Sequence, residues 1–152
     1  MNRLLSRFAA ALLVVIGLAA PAQAQTILAQ SDTTLNAADQ GAIHQVVQAQ
    51  LDAIQKDEWA AAFGYAAPVV QQKFGDPMTF MEMVKSGYGA VYRPRQVNFG
   101  KVVDTQYGPD QIVQLIGPDG LAYTAHYTMQ RQADGSWKIS GCYLTRGPDE
   151  SV

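Results

Sequence analysis

Three turn signals in the second half of the chain constrain the fold more than any other feature. Glycine, proline and aspartate supply the backbone conformations of tight turns, and they cluster at 108–110, 118–120 and 134–135. The segments around these clusters are rich in β-branched and aromatic residues. They predict four strands, at 96–104, 111–116, 121–130 and 136–145. Strands joined by such short turns are expected to pair as an antiparallel meander.

The first half of the chain has the spacing of helices instead. Asn36 can cap a long helix whose apolar residues recur every three or four positions. These residues are Ile43, Val47, Leu51 and Ile54. Asp57 is expected to start a short helix and 68–74 to form another, while Asp76-Pro77 predicts a fourth because a capping carboxylate precedes a proline. Helices before a meander must cover one of its faces, so the predicted fold class is α+β, with N-terminal helices packed on one face of a four-stranded antiparallel sheet.

Alternation along the last two strands predicts which face the helices cover. In each strand, every second residue is apolar or aromatic. The residues expected to face the helices are Leu121, Tyr123, Ala125, Tyr127, Met129, Trp137, Ile139, Gly141 and Tyr143. The residues expected on the other face, here called the outer face, are Ala122, Thr124, His126, Thr128, Gln130, Lys138, Ser140, Cys142 and Leu144.

The N-terminus has the pattern of a secretory signal peptide. Arg3 and Arg7 precede an apolar run at 8–20 that is short for a bilayer span, and Ala22-Gln23-Ala24 has the small residues of a cleavage site. Residues 1–24 are therefore predicted to be removed from a periplasmic or secreted protein, and an uncleaved membrane anchor is the alternative. The remaining chain divides into a leader at 25–35, one domain at 36–146 and a tail at 147–152.

The net charge and the cysteine content limit the kinds of molecule that the protein is expected to bind. Without Arg3 and Arg7 the 11 basic residues fall to 9 against 13 acidic ones, a net charge of −4 with no run of like charge. Nucleic acid is not an expected partner because phosphate binding needs a basic patch, and no membrane contact is expected after signal cleavage. Cys142 is the only cysteine, so it is either buried and inert or able to join two chains.

Two stretches carry a resemblance to known families. Helices followed by a sheet that ends in DGSWKISGCYL, at 134–144, resemble the nuclear-transport-factor-2-like superfamily, also called cystatin-like or SnoaL-like. More narrowly, residues 61–99 resemble an uncharacterised bacterial family, domain of unknown function 4864. The residues that carry this likeness are Ala62-Phe63, Ala67-Pro68, Phe74-Gly75, Phe80, Met83-Val84, Tyr88, Arg93-Pro94, Asp134-Gly135, Trp137, Ile139, Gly141 and Cys142. The superfamily resemblance implies a curved, cone-like sheet whose open end often holds a pocket, and frequent dimerisation through the sheet.

Enzymes of that superfamily use a carboxylate or a histidine inside the cone, and only one residue here is a candidate. Simple alternation turns Lys101 inward, but a bulge at Gly100 would instead turn Val102 and Asp104 inward. Asp104 would then be expected to lie partly buried between Tyr123 and Tyr127, as a catalytic carboxylate. Neither His44 nor His126 shares a face with other ligands at metal spacing, so no metal or cofactor is predicted.

The candidate ligand pocket comes from aromatic and basic residues near the boundary between helices and sheet. The candidates are Tyr88, Tyr92, Arg93, Arg95, Tyr123, Tyr127 and Trp137. The tyrosines fit either ordinary packing or an amphipathic pocket. In the SGYGAVYRPR stretch at 86–95, the glycines and proline make the corner from helix to sheet. The arginines either form ion pairs, with Asp57, Glu58 or Glu82, or bind an anionic ligand.

These features favour an exported module of the cell envelope that binds a small amphipathic or anionic ligand, or that assembles with a partner, without catalysing a reaction. One alternative is a small-molecule isomerase or hydrolase that uses Asp104. The other is a purely structural homodimer with a filled cone. A twofold homodimer through the outer face is expected, because that face is too apolar for a plain surface and too polar for a core.

Overall fold

The computed structural model describes residues 35–147. The predicted signal peptide, residues 25–34 of the predicted leader and residues 148–152 of the predicted tail lie outside the described residues.

Five helices occupy the first half of the described chain. They are α1 (Ala37–Gln55), α2 (Trp59–Gly64), α3 (Pro68–Phe74), α4 (Pro77–Gly87) and α5 (Gly89–Tyr92). The side chain of Asn36 accepts a hydrogen bond of 2.8 Å from the N–H of Asp39, which confirms the predicted cap of α1. Asp76 caps α4 in the same way, with 2.9 Å to the N–H of Thr79. Among residues 35–147, no helix combines the length and hydrophobicity that crossing a bilayer requires.

Asp57 does not start α2, so that part of the prediction is wrong. Glu58 precedes the helix and makes no side-chain cap. Asp57 has a φ of +57°, in the left-handed region that turns the chain out of α1. Its carboxylate accepts hydrogen bonds from Arg93, at 2.7 Å, and from the Tyr92 hydroxyl, at 3.0 Å, so it is occupied in holding this corner.

Four antiparallel strands follow, in the order β1-β2-β3-β4. They are β1 (Gln96–Thr105), β2 (Gly108–Ile116), β3 (Ala122–Arg131) and β4 (Trp137–Arg146). The first hairpin turns earlier than predicted, because Thr105 pairs with Gly108 and residues 108–110 belong to β2. The predicted fold class is confirmed: N-terminal helices pack on one face of a curved four-stranded antiparallel sheet.

A bulge in β1 settles the orientation of that strand's second half. Phe99 pairs with Val113 and Val102 pairs with Gln111, so Gly100 and Lys101 together face one residue of β2. The extra residue shifts the alternation. Val102 therefore takes the parity of the helix-covered face, as the bulge at Gly100 predicted.

A second bulge lies in β4 and was not predicted. Thr128 pairs with Gly141 and Met129 pairs with Ile139, which leaves Ser140 without a partner across the ladder. The alternation of β4 therefore changes after Ile139.

This second bulge corrects the predicted faces at the end of β4. Cys142 and Leu144 turn toward the helices and pack against the core, whereas they were predicted on the outer face. Tyr143 turns to the outer face, where it is 49% exposed and stacks on His126 with ring centres 4.4 Å apart. Cys142 is therefore not placed to join two chains across the outer face.

The core lies between the helices and the inner face of the sheet. Its fully buried members include Ile43, Val47 and Leu51 of α1 and Val113, Leu115, Ala125, Tyr127 and Met129 of the sheet. The α2–α3 connection joins the edge of β4 by a parallel bridge between Ala66 and Ile139. The N–H of Ala67 donates to the Ile139 carbonyl at 2.8 Å, which ties α3 to the sheet.

Candidate functional site

An open cavity of about 570 Å³ lies between the helices and the inner face of β3 and β4. Its walls are mainly apolar side chains of α1, α3, α4, α5 and β4. These include Ile54, Val69, Val70, Phe74, Phe80, Met83, Val84, Val91 and Ile139. A cavity of this size and polarity suits a small, largely apolar molecule.

Two polar side chains in the wall are satisfied by the protein itself. The Tyr88 hydroxyl donates a hydrogen bond of 2.9 Å to the carbonyl of Cys142. Gln50 donates from Nε2 to the carbonyl of Ala62 at 3.1 Å. Burial raises the pKa of Tyr88, so this phenol stays protonated at neutral pH. Both side chains therefore support the wall as neutral groups.

Tyr127 differs from these residues because the polar neighbour of its hydroxyl is the thiol of Cys142, which hydrogen-bonds only weakly. The side chain is 1% exposed, and within residues 35–147 its oxygen has no nitrogen or oxygen hydrogen-bond partner. The thiol of Cys142 lies beside it and also lines the cavity. Burial raises the pKa of Tyr127 well above its usual value, so this part of the wall carries no charge at neutral pH.

The thiol of Cys142 should be unreactive in the folded protein. Burial raises its pKa to about 12, so at pH 8 the thiolate fraction is roughly a thousandfold below that of an ordinary cysteine. We expect Ellman's reagent to label the native protein slowly at pH 8 and the urea-unfolded protein rapidly. Equal rates in the two states would contradict the environment described here.

The opening of the cavity is on the α3 side. Val69 and Lys73 lie one turn apart on α3 and line the cavity, yet Val69 is 58% exposed and Lys73 is also exposed. Residues that both line a cavity and contact solvent mark its entrance. This entrance is called the mouth below.

Only two of the predicted pocket residues, Tyr88 and Tyr127, line the cavity. Tyr123 instead donates a hydrogen bond of 2.6 Å to Asp119 in the β2–β3 turn. Trp137 is buried at the far end of β4, where Nε1 donates to the Asp39 carboxylate at 3.3 Å.

Tyr92, Arg93 and Arg95 belong to the corner between helices and sheet. Arg93 forms an ion pair of 2.7 Å with Asp57, as one of the alternatives predicted, and its guanidinium lies 4.0 Å from the centre of the Tyr92 ring. The hydrogen bond from Arg93 holds the pKa of Asp57 below its usual value. Arg95 donates to the carbonyl of Pro118. These contacts account for the corner without a ligand.

Asp104 comes after the β1 bulge, but it does not lie where a catalytic group was expected. It pairs with Pro109 near the β1–β2 turn, beyond the rows of Tyr123 and Tyr127. Its side chain is exposed and does not line the cavity. The predicted position between the two tyrosines is therefore wrong. The bulge changes the alternation of β1 as expected, but Asp104 lies near the end of the strand and does not reach the rows of Tyr123 and Tyr127.

Neither histidine lines the cavity, and His126 is on the outer face, as predicted. His44 is exposed on α1 and contacts the Phe99 ring, with centres 4.1 Å apart. His126 is on the outer face, with Nδ1 4.0 Å from the largely buried Asp110. Across the described part of the chain, no group of three or more metal-ligating side chains comes together.

Several residues of the site were not predicted as ligand-pocket residues. Gln50, Val69 and Lys73 line the cavity. The sequence predicted where their helices begin and which residues of α1 are apolar, but it gave no sign that these three residues face a cavity. Cys142 was missed because the Ser140 bulge reverses its direction. The adjacent Gly141 is the one available signal, since glycine within a strand often marks a bulge.

Comparison with known proteins places the chain in a family. Residues 36–152 match the model of a family described as a domain of unknown function, DUF4864. A search of curated proteins found no significant match. The 2.1 Å structure of ActVI-ORFA from Streptomyces coelicolor is similar at 12% identity and a TM-score of 0.47, covering 78% of this chain and 100% of that one, a level that supports no functional conclusion. On the strength of the family match, the chain belongs to the DUF4864 family.

Proposed function

We propose that this domain is a non-enzymatic module that holds a small amphipathic molecule in the cavity, within a protein exported to the cell envelope. The observation that carries the proposal is the apolar cavity of about 570 Å³ between the helices and the inner face of the sheet. No aspartate, glutamate or histidine of residues 35–147 is among the lining residues, which favours binding over proton transfer. The signal-like sequence at 1–24 supports export.

Binding of a neutral apolar dye tests the cavity directly. We expect Nile red to bind the purified protein with enhanced fluorescence, and Met83→Trp to weaken that binding about tenfold because the larger indole narrows the cavity. Met78→Trp is the matched control, since Met78 is on the same helix but 56% exposed and outside the lining. Circular dichroism establishes that both variants fold. Absence of dye binding, or equal binding by folded Met83→Trp, would refute the proposal.

A second proposal concerns assembly through the outer face of the sheet. The described residues place no helix on this face, and it presents Val103, Ile112 and Tyr143 together with Thr124 and Thr128. The half-exposed ring of Tyr143 gives this face an apolar centre that a second copy of the chain could cover.

Charge placed on that face should separate the two copies. In a twofold dimer a residue near the axis meets itself, so Thr128→Glu sets two like charges together and should shift a dimer toward monomer. Light scattering across concentration measures the molar mass. Ser86→Glu supplies the same charge at an exposed position of α4, which is not part of the sheet, and should leave the mass unchanged. A wild-type monomer at tens of micromolar would remove this second proposal.

A further inference from the structure

We infer that the cavity takes an apolar carboxylate whose charged group lies at the mouth, against Lys73, and whose apolar part lies inside. This inference rests on the proposed function and adds to it the class of ligand and its orientation.

The mouth offers a positive charge beside an apolar wall. Lys73 lies on α3 one turn after Val69, and its ammonium is 5.5 Å from the centre of the Phe74 ring, which also lines the cavity. Within residues 35–147, no carboxylate lies within 4.0 Å of Lys73. The ammonium is therefore available to an anionic group at the entrance.

The inner wall offers no charge. Its titratable groups are the phenols of Tyr88 and Tyr127 and the thiol of Cys142, and burial raises the pKa of all three. They are neutral at physiological pH, so a carboxylate placed beside them would be buried without a countercharge, which is strongly unfavourable. The favourable orientation puts the carboxylate at Lys73, where solvent also reaches it, and the apolar part against the inner wall.

Three probes with one apolar chain and different head groups test this orientation. Decanoate, 1-decanol and decyltrimethylammonium are titrated by calorimetry, each below the concentration at which it aggregates. We expect decanoate to bind about 2- to 5-fold more tightly than 1-decanol, the range for an exposed ion pair, and decyltrimethylammonium to bind most weakly. Naphthalene-2-carboxylate distinguishes an aromatic acid from a straight-chain acid as the preferred carboxylate.

Substitution of Lys73 assigns the preference to one residue. Lys73→Gln should make decanoate and 1-decanol equal in affinity, because it removes the charge that distinguishes the two head groups. Lys101→Gln is the control, because it removes the same charge from the exposed β1 bulge outside the cavity lining, and should keep the preference.

The outcomes separate the two proposals. Equal binding of the three wild-type probes, or a decanoate preference that survives in Lys73→Gln, overturns the carboxylate inference. Failure of all the decyl and naphthyl probes to displace bound Nile red also overturns it, although the proposed function then stands. Failure of Nile red itself to bind refutes the proposed function instead.

Discussion

Replacing Trp137 by alanine is expected to lower the free energy of unfolding by about 3–5 kcal/mol, the range for deleting a buried aromatic ring. Trp137 is 6% exposed, and its indole N–H donates to Asp39, which is 7% exposed. The Arg131 guanidinium contacts both residues, at 3.5 Å from the Asp39 carboxylate and 5.5 Å from the indole ring centre. The substitution therefore removes core packing and one partner of a buried carboxylate together. Urea denaturation of the purified protein measures the change.

Trp137→Phe separates the two contributions. The phenyl ring keeps most of the packing but cannot donate to Asp39, whose remaining side-chain contact within residues 35–147 is with Arg131. We expect an intermediate loss of about 1.5–3 kcal/mol, the range for a hydrogen bond to a charged group. If Trp137→Ala destabilised the protein by less than about 1 kcal/mol, the tryptophan would not be a core residue.

Gly108→Ala should have a comparably large effect for a different reason. Gly108 has a φ of +119°, and a β-carbon there would lie 2.8 Å from the carbonyl oxygen of Met129 on β3. Backbone strain and the steric clash together should lower the free energy of unfolding by about 2–5 kcal/mol. Because the obstructing atom belongs to the backbone of a central strand, it cannot move aside without disturbing the sheet. Thermal and urea unfolding followed by circular dichroism provide the measurement.

Gly135→Ala is the matched control for Gly108→Ala. Gly135 also has a positive φ, +85°, but a β-carbon there would meet nothing within 4 Å. The Gly135→Ala substitution should lower the free energy of unfolding only by the cost of the left-handed backbone conformation, about 1–2 kcal/mol. Equal losses at the two glycines would show that the contact with Met129 adds nothing.

Most of the fold could be predicted because its signals are local. The cap at Asn36, the proline at Pro77 and the turn residues each act within a few positions along the chain. Gly100 also gave a usable signal, since a glycine within a strand marks a possible bulge, and the register confirms it.

The end of β4 could not be predicted by alternation alone. Trp137, Ile139, Gly141 and Tyr143 form an unbroken alternating series in sequence, which is why Tyr143 was expected to face the helices. The extra residue at Ser140 reverses the later positions. Because of the bulge, the small thiol of Cys142 faces the helices and the larger ring of Tyr143 faces outward. The orientation of these two side chains depends on the tertiary packing of the helices against the sheet.

The candidate site was predicted only in part because it depends on distant segments meeting. Tyr88 and Tyr127 were found as aromatic residues on apolar faces. Lys73 becomes a site residue only because the bridge between Ala66 and Ile139 sets α3 beside β4. A parallel contact between residues 73 positions apart leaves no periodic signal in the sequence.

The two bulges have a consequence for aggregation, because β1 and β4 are the edge strands of the sheet. An edge strand exposes unpaired N–H and C=O groups to which another strand can add, and bulges and lysines interrupt that pairing. One edge carries Gly100 and Lys101 at its bulge, and the other carries Ser140 next to Ile139, whose N–H and C=O already bond to Tyr65 and Ala67. Regular strand addition is thus obstructed near the middle of each edge, which protects a folded protein with one exposed sheet face from growing into a continuous intermolecular sheet.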